Sequence, residues 1–251
     1  MLRVLPRACR RVPRCRPSQI SRQFHSSSRR SQQGYFQFLD DIPENTVLWG
    51  IIGLNGMRIL NWWARKKIEV ERDPSLYIWM QKHFKSNWKN LSEGRIWTLF
   101  TSTFTHSDRD YTHILFNGFT FYFMAPLTLS ILGSRQFLFL YLGGTSRCGA
   151  LAELGSMAYK NIWQRGRDPY SCGASAAIYS VLSFLAFQAP QMTLLIYGII
   201  PVPIWLAVGG LFSYDIYRTA ADTGGTTNTT AHVGGMLAGA GYFALRRFRM
   251  F

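Results

Sequence analysis

Six long apolar stretches, set apart by polar or basic breaks, constrain this chain more than any other feature. They fall at about 46–63, 111–132, 135–159, 173–189, 192–212 and 231–245. An apolar run of about 20 residues, coiled as a helix, matches the ~30 Å hydrocarbon core of a bilayer. Lipid offers no water to a peptide group, so only helices or closed barrels cross it. These runs are too long for barrel strands. The expected fold is therefore an all-α membrane protein, one compact bundle of six transmembrane helices. Composition agrees, with 16% of the residues charged and 15% aromatic. Soluble domains carry about 25% charge, and aromatic residues supply the belts that sit at bilayer interfaces.

The net charge of +15 is not spread along the chain. Nine arginines and no acid lie in residues 1–31. An Arg- and Ser-rich, acid-free N-terminus is the pattern of organelle targeting. The basicity thus belongs largely to a leader, and no nucleic-acid partner is expected. Within it, Arg22-Gln23-Phe24-His25-Ser26-Ser27 resembles a mitochondrial processing site, with Arg two places before the cut. The segment Phe24 to Ser31 resembles an octapeptide removed in a second cut. The expected organisation is a mitochondrial presequence over 1–31, a short polar segment over 32–45 and a six-span domain over 46–251. Cys9 and Cys15 would leave with the leader, while Cys148 and Cys172 lie in or near apolar segments. Their spacing suggests neither zinc nor a disulfide framework. No metal or cofactor is expected.

The breaks between stretches carry their own signals. Arg65-Lys66-Lys67 closes the first stretch and would sit at a headgroup level. The connection over about 64–112 interleaves Leu76, Ile78, Trp79, Met80, Phe84 and Trp88 with Lys82, Lys85 and Lys89, which suits helices lying in the interface plane. Pro126 falls inside the second stretch, where it would kink a helix. Pro190 stops the fourth, and Pro201 and Pro203 break the fifth. Polar loops are expected over 160–169 and 219–230.

Polar residues inside apolar stretches are expensive and mark functional sites. The fourth stretch has seventeen residues, 173–189, and rises roughly 25 Å, short of the bilayer core. Ser175 would then begin its helix below one membrane face, at the floor of a water-filled dent. Free amides in a first helical turn point at any anion, so the Ser175 amide could hold the oxyanion formed when its hydroxyl attacks a carbonyl. Serine needs a base to take its proton, and His232, opening the sixth stretch, is the intramembrane candidate. The nearest acid upstream of His232 is Asp222, so a Ser–His dyad is the economical reading. Tyr179, one turn after Ser175, could pack its ring on His232. Gly235 and Gly239 form GxxxG, and Gly173, Ala174, Ala176 and Ala177 offer small residues on the fourth stretch, so these two helices can approach closely. His113 and Asn117, one turn apart on the second stretch, could supplement the oxyanion donors. A transporter would show several charged intramembrane residues or paired half-helices, and neither is evident.

Taken together, these fragments resemble the rhomboid family of intramembrane serine proteases. His113-Ile-Leu-Phe-Asn117 fits its HxxxN, Gly173-Ala174-Ser175 fits the first three positions of its GxSG, and Ala231-His232-Val233-Gly234-Gly235 fits its AHxxG. Leu132-Gly133-Ser134-Arg135-Gln136-Phe137 resembles the family's opening of span three. The resemblance implies a six-helix bundle and a Ser175–His232 dyad. It also implies an oxyanion hole of His113, Asn117 and the Ser175 amide, with Tyr179 stacked on His232. Implied substrates are single-span membrane proteins cut in or near their membrane segment. With the leader, it implies a multi-pass protein of the mitochondrial inner membrane. The chain departs from the pattern at Ala176, where the motif has Gly, at Trp97-Thr98, where the family has Trp-Arg, and at Leu129, near a frequent Glu. The alternative function is an inactive rhomboid-like protein that binds membrane clients. Oligomeric state is not legible in the sequence.

Overall fold

The computed structural model describes residues 36–105, 111–143, 172–196, 199–221 and 228–248. The expected presequence, Cys148, Asp222 and the polar loop over 160–169 lie outside the described residues.

The first expected span is not one helix. The chain forms α1 (Glu44–Asn55) and α2 (Arg58–Glu71), parted by a turn at Gly56–Met57. Gly56 is a poor helix former, and the Asn55 side chain donates back to the Ile51 carbonyl at 2.8 Å, a bond that competes with the ladder. Arg65, Lys66 and Lys67 therefore sit within α2 rather than closing a span. Lys66 pairs with Glu69 and Lys67 with Glu71 one turn on. The face of α1 that is covered carries Val47, Leu48 and Ile51.

The following connection is folded. It holds α3 (Ser75–Phe84), α4 (Trp88–Ser92), α5 (Thr98–Thr101) and a 3-10 turn at Ser102–Phe104. Buried Asn90 knots it, donating to the carbonyls of Gln81 and Lys85 and accepting from Arg95. The hydroxyls of Thr101 and Thr105 reach back to the carbonyls of His83 and Phe84. These bonds satisfy carbonyls that short helices leave over and give the segment a fixed shape. Arg95, two places before Trp97, is the arginine that braces this connection.

Next comes α6 (Tyr111–Leu132), which runs through Pro126. Over Ile114–Leu132 it is the one helix among the described residues long and apolar enough to cross a membrane. It is apolar on both sides. Phe121, Ala125 and Leu129 are buried, while Leu115, Phe116, Phe119 and Phe123 face outward, as a helix between protein and lipid requires. A one-residue turn leads to α7 (Ser134–Gly143). The rest of the expected third span lies outside the described residues.

At the centre stands α8 (Ser175–Gln188), buried at every position from Ser175 to Ala186 except Tyr179. It packs against α6 and α7, and Pro190 follows its end. The core joins Phe121, Phe137, Tyr141, Val181, Phe184 and Leu185 with residues of α1.

The fifth expected span, 192–212, needs correction. It holds two antiparallel strands, β1 (Thr193–Ile196) and β2 (Ile200–Pro203), paired Thr193 to Pro203 and Ile196 to Ile200. Pro201 and Pro203 cannot donate and would break a helix ladder; a two-stranded ribbon, being all edge, tolerates them. Pro203 then precedes α9 (Ile204–Ala220), which continues well past Phe212. Among the described residues the architecture is thus mostly helical, with β1 and β2 as a small addition. The last helix, α10 (Thr229–Arg247), packs along α8 and α9.

Candidate active site

Two constraints set the start of α8. Gly173 takes a φ of +124°, which a side chain would strain, and its amide donates to the Ser102 carbonyl at 2.9 Å. The folded connection thereby fixes where α8 begins. Ser175 is the first residue of that helix and is buried. Its amide has no acceptor within the helix and stands at the positive end of the helix dipole.

His232 is fixed by its own helix start. The Asn228 side chain accepts from the Ala231 amide at 3.1 Å, an N-cap that stabilises the first turn of α10. One step further along, α10 meets α8 with almost no space between backbones. A Cβ placed on Gly235 would lie 2.2 Å from the Ala176 carbonyl oxygen, and one on Gly239 would lie 2.2 Å from that of Ser180. The Ser183 hydroxyl bridges the seam to the Met236 carbonyl at 2.7 Å. With the helices so close, Ser175 Oγ comes to 2.8 Å from His232 Nε2. Tyr179 stacks on the imidazole, with ring centroids 4.3 Å apart and planes at 19°.

From the sequence, His232 has no acid. In the structure it has one: Asp215 Oδ2 lies 3.0 Å from Nδ1, with both side chains buried. Asp215 belongs to α9 and shares its covered face with Ile204 and Val208. The spacing of 4 and then 7 residues repeats one side of a helix. A hydroxyl pair, Thr219 to Thr229 at 2.7 Å, joins α9 to α10 one turn beyond the pair. The signal that could have found Asp215 was present. It is the one acid in that helix, on the same stripe as its buried apolar residues.

Asn117 lies in α6 and is buried, and its Nδ2 has no hydrogen-bond partner among the described residues. His113 occupies the first turn of that helix; its side chain lies outside the described residues. Cys172 is partly buried. Among the described residues no group of three or more His, Cys, Asp and Glu is placed to hold a metal ion. Ser175, His232 and Tyr179 are thus brought together, Gly173, Gly235 and Gly239 shape their support, and Asp215 is the addition.

The chain is similar to known proteins. Residues 93–248 match the Rhomboid domain. Over 229 residues the chain is 28% identical to "RHOMBOID-like protein 12, mitochondrial" of Arabidopsis thaliana, covering 87% of this chain and 63% of that one. It is 29% identical over 200 residues to "Presenilin-associated rhomboid-like protein A, mitochondrial" of Danio rerio, covering 77% and 46%. The human "Presenilin-associated rhomboid-like protein, mitochondrial" gives 29% over 199 residues, with the same coverage of 77% and 46%. The chain therefore spans between about half and two thirds of these relatives' length. Its mostly helical architecture fits an all-α membrane fold. The chain belongs to the Rhomboid family, of the mitochondrial type that these relatives represent.

Proposed function

We propose that this protein is an intramembrane serine protease that cuts single-span membrane proteins in or near their membrane segment. The observation that carries the proposal is the buried contact of Ser175 Oγ with His232 Nε2 at 2.8 Å. In this mechanism Nε2 takes the hydroxyl proton as Oγ adds to the scissile carbonyl carbon. The carbonyl oxygen becomes an oxyanion, held by the Ser175 amide, by His113 and by Asn117 Nδ2, which has no partner among the described residues. A donor of this kind typically contributes ~10²–10³ in rate. The imidazolium then passes the proton to the leaving amine nitrogen, and the C–N bond breaks. Water attacks the acyl-enzyme, with His232 again as base. Tyr179 keeps the imidazole plane fixed throughout.

The setting belongs to the same proposal: a six-span bundle embedded in the lipid bilayer of the mitochondrial inner membrane, reached through the presequence over 1–31. The outward apolar face of α6 and the family's mitochondrial relatives support it. An inactive client-binding protein has less in its favour, because a binder needs no hydroxyl held on an imidazole. Ala176 does not obstruct the pair. Its backbone carbonyl is what Gly235 approaches, and the Ser175–His232 contact forms with the alanine in place.

A fluorophosphonate probe tests the nucleophile. It is expected to label wild-type protein at Ser175, and to label neither Ser175→Ala nor His232→Ala. Labelling of Ser175→Ala at the wild-type rate would remove the proposal's basis.

A further inference from the structure

We infer that Asp215 completes the site as a positioning residue, fixing the tautomer and orientation of His232, so that the working unit is Ser175–His232–Asp215 and not a dyad. The inference rests on the protease reading for its catalytic consequence, but its structural core stands on geometry alone.

A carboxylate oxygen only accepts hydrogen bonds. Asp215 Oδ2 at 3.0 Å from Nδ1 therefore places the ring proton on Nδ1, which leaves the Nε2 lone pair facing the Ser175 hydroxyl at 2.8 Å. With the opposite tautomer, Nε2–H would point at Ser175 and could not take its proton. The second ring nitrogen thus decides whether the first can act as base. During attack the proton moves from Oγ to Nε2. The imidazolium so formed keeps its Nδ1 proton, and the carboxylate beside it opposes the new positive charge without taking a proton. On collapse the Nε2 proton leaves with the amine.

A purely structural role for Asp215 is the competing account. It fits poorly for three reasons. Burying a carboxylate in an apolar bundle is costly, and a buried ion pair gives little net stability. The α9–α10 contact already has a cheaper polar link in the neutral Thr219–Thr229 pair. The carboxylate also meets the ring nitrogen opposite the one that faces Ser175, which a helix staple has no reason to select. Tyr179 on the imidazole face, at 4.3 Å, fixes the ring plane but leaves rotation within that plane free. The Asp215 contact removes that freedom.

Two measurements on the full chain in detergent test this. The first is steady-state cleavage of a fluorogenic membrane-segment peptide by wild type, Asp215→Asn, Asp215→Glu and Ser175→Ala, with thermal stability recorded for each. Asp215→Asn is expected to lower kcat by about 10² or more, in line with removal of the orienting acid elsewhere, with KM and melting temperature near wild type. Asp215→Glu should restore part of the loss. Wild-type kcat in Asp215→Asn, or activity lost only in step with stability, would overturn the inference. Ser175→Ala in the same series reports separately on the protease reading. The second measurement needs no activity. In protein with ¹⁵N-labelled histidine, and with His232→Gln assigning the signal, His232 is expected as the Nδ1–H form in wild type and to lose that preference in Asp215→Asn. An unchanged tautomer would overturn the inference even if the protein proved to cut nothing.

Discussion

At the scale of single residues, Ala176 and Gly235 are the two sides of one contact. The chain carries Ala where the family motif has Gly, and its backbone carbonyl lies where a side chain on Gly235 would clash. Three variants at matched expression read this out in one cleavage assay. Ala176→Gly is expected to keep activity or raise it modestly. Ala176→Val adds branched methyls at a buried position of α8, where overpacking typically costs ~1–3 kcal/mol, and is expected to slow cleavage while Ser175 remains in place. Gly235→Ala is expected to be worse than Ala176→Val, since its new Cβ would meet backbone at 2.2 Å, which cannot rotate away. The measurement is melting temperature beside rate. A silent wild type that Ala176→Gly switches on would instead favour the client-binding alternative.

At the scale of elements, the Ser175–His232 contact is a product of helix starts and one seam. Gly173 and Ser102 fix the start of α8, Asn228 fixes that of α10, and the glycines of α10 let the two lie together. Thr219→Val should loosen α9 from α10 one turn from Asp215 and lower activity, with Ser175→Ala-sensitive cleavage still detectable. Equal rates in Thr219→Val and wild type would show that the hydroxyl pair does not help place Asp215. Much of this level was readable in advance. Tyr179 follows Ser175 by one turn, and the small residues of the fourth and sixth stretches imply that Ser175 and His232 come close; the contact at 2.8 Å has that form. Asp215 could not be placed that way. With Pro201 and Pro203 read as irregularities inside a helix over 192–212, Asp215 falls beyond its end. The prolines in fact favour paired strands, α9 begins at Ile204, and its stripe of Ile204, Val208 and Asp215 then turns the acid inward. The first span was misjudged for a related reason. Hydropathy averages over Gly56 and Asn55, whereas the backbone breaks there. The knot around Asn90 was out of reach of sequence, because it depends on carbonyls left over by helices whose ends had no clear signal.

At the scale of the whole molecule, the N-terminal segment bears on location. The acid-free leader should carry it into mitochondria and then be removed. N-terminal sequencing of the mitochondrial pool is expected to begin near Phe24 or Gln32; a start at Met1 or Leu2 would contradict the leader. The outward face of α6, with Leu115, Phe116, Phe119 and Phe123 exposed, suits contact with lipid. A charged residue there, such as Phe119→Lys, should lower the yield of membrane-integrated protein, because a charge at bilayer depth costs at least ~2.5 kcal/mol. The most direct test of the central claim is cleavage of a single-span membrane protein co-reconstituted with the purified chain in liposomes. Wild type is predicted to yield two fragments cut in or near the membrane segment, and Ser175→Ala, equally folded, to yield none. Undiminished cleavage by Ser175→Ala would contradict the account.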